Sequence, residues 1–232
     1  MRQLSASEFE ARLREVGESR YHHLHPFNQR MHAGELSREE LRGWVINRFY
    51  YQVNLPIKDA YILSKLPSRE DRRQWMTRIV DHDGRADGEG GIESWLRLGE
   101  AVGASRDELL GCRSVVPGAR FAVDAYVNFC RTRPWLEAVA SAMTELFAPD
   151  LIARRIDDMQ RHYPWIEPAG LEYFRARLEQ QPKDIEHMLG LVLSSAQTPE
   201  DQQRCVEALE FKCDVLWTLL DSVEQAYRKD TA

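Results

Sequence analysis

No stretch of this 232-residue chain approaches the roughly 20 consecutive apolar residues of a membrane-spanning helix, so no membrane partner is expected. The opening MRQLSASEFEARLREVG turns acidic from Glu8 and has no continuous apolar core, which argues against a secretory leader. A basic excess is missing too. The net charge is −6 and no basic stripe stands out, so nucleic acid is not an expected partner. There are only four cysteines, Cys112, Cys130, Cys205 and Cys213, and none falls in a CxxC or zinc-like spacing. Reduced, structural thiols in a cytoplasmic protein are the expectation. Period-two alternation, the mark of a half-buried strand, is absent. Low complexity is confined to the glycine run 84–91, and neither an internal repeat nor a linker is visible.

What remains is helical. The chain is 43% hydrophobic and 29% charged, enough for a real core in an ordinary globular protein. Ser37-x-x-Glu40, Ser68-x-x-Asp71, Ser105-x-x-Glu108 and Thr198-x-x-Asp201 each set a capping hydroxyl three residues before a carboxylate. Pro117, Pro134, Pro168 and Pro182 stand where a helix can begin at little cost, because the first turn has no use for their missing N–H. These signals predict helices over 5–17, 25–33, 37–65, 68–82, 92–102, 117–132, 134–147, 149–162, 168–180, 182–195 and 198–228, some neighbours being parts of one bent helix. One all-α domain over residues 1–232 is expected.

Four places could hold chemistry. In LRGWVINRFYYQVNLPIKDAYIL, residues 41–63, Phe49, Val53, Ile57 and Ala60 lie on one side, with Leu41, Trp44, Val45, Leu55 and Ile62 opposite. A helix apolar all round is a buried one. Yet Arg48, Gln52 and Asp59 project within about 40° of each other, with Tyr51 beside them. A buried guanidinium is costly unless paired. Either an internal Arg48–Asp59 or Arg48–Glu network fixes packing, or the stripe binds an anionic, oxygen-rich ligand. His82 ends TRIVDHDG with Trp75, Arg78 and Ile79 on its face and a mobile glycine run behind it; it is a core histidine or a catalyst. That run carries no Lys-Ser/Thr and is no phosphate cradle. In Tyr21-His22-His23-Leu24-His25-Pro26, His23 and His25 could form an HxH metal pair, one histidine could ligate haem, or the histidines could simply enter a helix. Thr144-Glu145 lies in an apolar segment where an ionised glutamate needs a partner. Arg154, Arg155, Tyr173, Arg177 and Lys212 are further polar groups whose default place is the surface.

NRFYYQ at 47–52, DHDG at 81–84, GGIESWLRLGEAVG at 90–103, RFAVDAYVNF at 120–129, MTELFAP at 143–149, HYPWI at 162–166 and FKCDVLW at 211–217 resemble the pyrroloquinoline-quinone synthase family, in order and at its spacing. The likeness runs from about Leu4 to Tyr227. It implies a compact seven-helix bundle of the haem-oxygenase/TenA-like type, assembled as a homodimer. The family's reaction is ring closure and eight-electron oxidation of a bicyclic amino-acid-derived precursor, AHQQ, to pyrroloquinoline quinone (PQQ). Molecular oxygen (O2) is the acceptor, hydrogen peroxide is released, and no metal, flavin or haem takes part. Substrate and product are polycarboxylates.

Carried over by position, the resemblance implies a pocket of Tyr21, His22, Arg48, Tyr51, Gln52, Lys58, His82, Tyr126, Thr144, Glu145, Arg155, Tyr173, Arg177 and Lys212. His82 would be the general base, beside the position of oxygen or peroxide, and the arginines and Lys212 would clamp carboxylates. Four such cations in an empty interior would repel one another, leaving it open and wet. One departure stands out: where many members carry a pocket histidine three residues before the arginine matching Arg155, this chain has Ile152. A di-metal carboxylate oxidase on the same bundle would use Glu145, His82 and Asp184-x-x-His187, but Trp75 and Gln180 occupy the positions where two further ligands belong. Haem oxygenase chemistry is open on fold alone. A thiaminase-like reaction would need an activated cysteine, and none adjoins a convincing base. A non-enzymatic quinone carrier would keep the arginines without needing His82.

Overall fold

The computed structural model describes residues 2–228. Residues 1 and 229–232 of the expected domain lie outside the described residues. Eleven α-helical segments take the place of the seven implied by resemblance, and no strand occurs among the described residues. They are α1 (Ala6–Arg20), α2 (Pro26–Ala33), α3 (Arg38–Lys65), α4 (Arg69–Asp83), α5 (Gly90–Ala101) and α6 (Arg106–Gly111). After these come α7 (Pro117–Thr132), α8 (Trp135–Ala142), α9 (Ala148–His162), α10 (Glu172–Ser195) and α11 (Pro199–Tyr227).

α3 is the central rod. Its start is fixed by a capping box in which Ser37 accepts from the Glu40 N–H and Glu40 accepts from the Ser37 N–H. Most of its apolar residues are buried because α4, α5, α7 and α11 all pack on it, but the side expected from Phe49, Val53, Ile57 and Ala60 reaches the surface at Ile57 and Ala60. α11 runs along α1, α7 and α8, while α10 crosses α8 and α9. One continuous apolar core results, including Trp75, Trp95, Phe27, Phe49 and Leu209.

The differences from the expected elements have local causes. Ser105 does accept from the Glu108 N–H, so its capping signal was real, and the short α6 follows it. The segment expected as one helix over 134–147 breaks at Met143 into a 3₁₀ turn, Met143–Phe147, with tighter winding than an α-helix. Pro182 does not start a helix; it sits inside α10, which runs unbroken through it. An interior proline costs about 3 kcal/mol. Burial of the apolar Phe174, Met188 and Val192 on the same helix works against that cost.

Candidate active site

α4 contributes His82. On a helix, positions 75, 78 and 82 share a face, and here Trp75, Arg78 and His82 are all buried. The His82 Nδ1 lies 3.0 Å from the Arg78 carbonyl oxygen. A carbonyl only accepts, so Nδ1 carries the hydrogen and Nε2 is left as a bare lone pair. That Nε2 is buried and has no hydrogen-bond partner among the described residues. The glycine run behind it is a tight turn rather than a loose tail. Gly84 and Gly90 have φ of 80° and 86°. A Cβ on Gly90 would come within 2.4 Å of the Gly84 nitrogen and 2.6 Å of the His82 carbonyl, so glycine is what lets α5 start beside His82.

His82 lines a cavity of about 90 Å³. Of the side chains assigned by resemblance, Tyr21, His22, Arg48, Tyr51, Gln52 and His82 line it, as do Thr144, Glu145, Arg155, Tyr173 and Arg177. The 3₁₀ turn brings in Thr144 and Glu145. Lys58, Tyr126 and Lys212 do not reach the wall. They form a second tier behind Tyr51, whose ring stacks parallel to Tyr126 at 6.4 Å.

The cations are better accommodated than simple repulsion suggests. The Arg48 guanidinium lies 3.9 Å over the Tyr51 ring, and Lys212 Nζ sits 4.1 Å from that ring and 3.6 Å from Tyr126. Arg155 lies over Trp44 and Phe174. Ring faces attract cations where no carboxylate is at hand. Lys212 is nonetheless fully buried without a hydrogen-bond partner. Burial, then the charges of Arg48 and Lys58, push its ammonium well below the usual lysine range. Arg155, chiefly through burial, falls to about 10. Arg177 instead has carboxylates: Glu145 at 3.4 Å and Asp184 at 3.6 Å.

Under His82 lies a cluster the sequence reading missed. Arg78 meets three carboxylates: Glu145, Asp184 at 3.2 Å and Asp59 at 3.6 Å. Burial pushes Glu145 up, but Arg78, Arg177 and Lys58 outweigh it and hold the carboxyl at about 2. Asp184 goes the other way, raised by burial and by the charge of Glu145. The Arg48–Asp59 pair of the packing alternative does not form. Asp59 accepts from Lys58 Nζ at 2.7 Å and from Trp75 Nε1 at 3.0 Å.

Other expectations sort clearly. Tyr173 donates to Gln52 Oε1 at 2.9 Å, joining α10 to α3 across the cavity. His25 is a capping residue: its Nδ1 accepts from the Phe27 N–H and its Nε2 meets Asp221 at 3.0 Å. With both nitrogens engaged it cannot form an HxH pair with His23. His187, a candidate ligand of the di-metal alternative, pairs through Nε2 with Asp71 at 3.2 Å. Among the described residues, no group of three or more His, Cys, Asp or Glu side chains is placed to hold a metal ion. Cysteine lines no part of the cavity, and burial pushes the Cys205 and Cys213 thiols up to about 12. Arg154 is on the surface, paired with Asp158. Ile152 does stand in the cavity wall, so the missing histidine leaves an apolar patch with Ala148 and Leu151. Asn28, unpredicted, ties His22 to Arg155.

Residues 10–222 match the TENA/THI-4/PQQC family. The chain belongs to that family. It is 54% identical over 225 residues to the pyrroloquinoline-quinone synthase of Pseudomonas aeruginosa (strain LESB58), covering 97% of this chain and 89% of that one. Against the pyrroloquinoline-quinone synthase of Cronobacter sakazakii it is 54% identical over 231 residues, covering 100% and 92%. Among solved structures, a TenA homologue from Pseudomonas syringae pv. tomato superposes with a TM-score of 0.74 at 13% identity, covering 97% of this chain and 98% of that one. A Shewanella denitrificans domain described as having a heme oxygenase-like fold gives 0.77 at 13%, covering 97% and 94%. At that identity the two structures establish a shared fold and nothing finer. No helix among the described residues of this TENA/THI-4/PQQC member is long and apolar enough to cross a membrane.

The buried His82 gives the empty protein a pH signature. Burial, then the charge of Arg177, lowers it from 6.5 to about 4. Between those values the unfolded chain takes up a proton that folded His82 refuses. Its contribution is therefore intact above pH 6.5 and lost as pH falls toward 4, by at most about 3 kcal/mol. His82→Ala is expected to flatten this part of the stability–pH curve, measured by urea unfolding. Parallel curves for the two proteins would refute the assignment.

Proposed function

We propose that this chain is a pyrroloquinoline-quinone synthase, an oxidase that uses neither metal nor organic cofactor. It closes a ring and removes eight electrons from a bicyclic polycarboxylate precursor, with molecular oxygen as acceptor, hydrogen peroxide as by-product and PQQ as product. The observation that carries this reading is one cavity holding a bare imidazole nitrogen, on His82, beside Arg48, Arg155 and Arg177. Guanidinium forks suit carboxylates bidentately. His82 Nε2 takes a proton from the activated carbon, and the electron pair left on the ligand passes to oxygen. Each O2 reduced by two electrons takes up two protons and leaves as peroxide.

In the empty site His82 is neutral but a weak base. A substrate carboxylate bound to Arg177 offsets one of the two main causes of that weakness, so binding strengthens the base when it is needed. Arg48 and Arg155 then neutralise ligand oxygens and the quinol charge that develops, with Lys212 behind the Tyr51 ring. Thr144, Tyr21, Gln52 and the Tyr51–Tyr126 stack position the rings, Tyr173 and His22 offer further hydrogen bonds, and Lys58 and Glu145 balance charge around the clamp. Cytoplasmic location and a homodimer belong to the same reading. Phe121 and Ile57, 75% and 48% exposed on two helices that pack together, support a covered face; sedimentation tests it.

The deciding experiment mixes metal-stripped protein with the bicyclic precursor, first without air and then in air. Quinone absorbance and peroxide should appear only with oxygen, with metal far below one equivalent. Activity lost on chelation and restored by iron would overturn the metal-free reading. Product quinone should also raise the melting temperature and protect 149–180, the segment bearing Arg155 and Arg177, from proteolysis. At a hundredfold excess over Kd a one-site ligand adds about 2.7 kcal/mol.

A further inference from the structure

Asn28, in α2, is completely buried yet forms no part of the cavity wall. All its polar atoms are committed to two residues that do. Nδ2 lies 2.9 Å from His22 Nδ1 and 2.7 Å from the His22 carbonyl oxygen, and Oδ1 accepts from Arg155 Nη2 at 3.0 Å. A guanidinium only donates and a carbonyl only accepts, so the amide has a single orientation that satisfies both ends. Both Nδ2 hydrogens then face His22. One goes to its carbonyl, and the other requires a lone pair on Nδ1.

The hydrogen of neutral His22 therefore sits on Nε2, the nitrogen left to the cavity that this ring lines. Charging the ring would set an N–H against an N–H, and burial together with Arg48, Arg155 and Lys212 already disfavours it. His82 is the opposite case, with Nδ1 protonated and Nε2 bare. The cavity thus holds one donor imidazole and one acceptor imidazole, each set by a partner outside the wall.

We propose that Asn28 is a positioning residue that fixes His22 as an Nε2–H donor and, through the same amide, aims Arg155 at the same end of the ligand. Ligands are thereby selected for an anionic oxygen at that end. Only the identity of the ligand rests on the proposed function; the tautomer is a property of the empty protein.

Histidine-selective nitrogen NMR of the empty protein at neutral pH reads the lock directly. In the wild type His22 should show a bare Nδ1 and a protonated Nε2, and His82 the reverse. Asn28→Asp puts only acceptors against His22 and should move a proton onto Nδ1. Asn28→Ala, which removes the amide altogether, should give a tautomer mixture and serves if the aspartate variant folds poorly. With substrate, Asn28→Asp should raise KM about ten- to hundredfold, the scale of a lost hydrogen bond to a charged acceptor, while kcat changes far less because His82 keeps its own anchor. In a His22→Gln background, where the side-chain amide supplies a donor regardless, Asn28→Asp should raise KM less than in the native background. Wild-type His22 protonated on Nδ1, a tautomer indifferent to Asn28→Asp, or kcat falling as much as KM rises would overturn the assignment. A wild-type protein that neither binds nor makes the quinone would sink the functional reading, and the NMR result would then decide the lock by itself.

Discussion

His82→Ala is expected to lower kcat by about 10²–10⁴-fold, the usual cost of deleting one general base, while leaving the Kd for the product quinone close to wild type. The two readouts separate because the groups proposed to hold the ligand reach the cavity independently. Arg48 comes from α3, Arg155 from α9 and Arg177 from α10, and none has a hydrogen bond to His82. Removing the imidazole deletes the bare Nε2 and nothing that clamps a carboxylate. Stopped-flow mixing with precursor checks this, since binding should be followed by a stalled, unoxidised complex. Unchanged turnover would show that His82 is a core histidine whose orphaned nitrogen is incidental. A parallel rise in Kd would instead make it a binding residue.

How much of this was legible beforehand depended on how far apart the partners are in sequence. α3 was readable as a largely buried helix because its apolar residues cover every side, though Ile57 and Ala60 come out exposed, and His82 was readable because Trp75 and Arg78 share its face at helical spacing. The pairing of Arg48 with Asp59 failed for a reason the projection hides. The two residues project together down the axis, but 11 residues at 1.5 Å each place them about 16 Å apart along it. Asp59 finds α4 instead, where Trp75 and Arg78 wait. Arg78 and Asn28 carried no signal of their own, since their decisive partners lie 67 and 127 residues away. The cations fared in between. Resemblance brought Arg48, Arg155, Arg177 and Lys212 to one place, but only the packed structure shows rings under three of them and carboxylates beside the fourth. Pro182 misled because a proline permits a helix start without requiring one.

Arg78→Met is expected to destabilise the empty protein by about 3–5 kcal/mol, the scale for removing one partner of a buried ion cluster. Methionine restores much of the volume, so the loss reports charge rather than a cavity. Arg78 is 3% exposed, and Asp59, Glu145 and Asp184 all depend on it. Lys58 still covers Asp59 and Arg177 still faces Glu145 and Asp184, so the variant should fold, with three carboxylates sharing two cations. Acid should then narrow the gap. In the wild type, Glu145 is held at about 2 against an ordinary 4.5. Its contribution is present above pH 4.5 and lost as pH falls toward 2. Without Arg78 the same carboxyl titrates higher, so protonation relieves the variant over the range in which the wild type is still losing stability. Urea unfolding at neutral pH and near pH 4 should therefore show a large difference shrinking to a smaller one. A gap that is constant with pH would mean the loss comes from packing against Trp75, 4.8 Å from the guanidinium. A loss below about 1 kcal/mol, the range of an exposed ion pair, would mean that the cluster does not stabilise the fold at all.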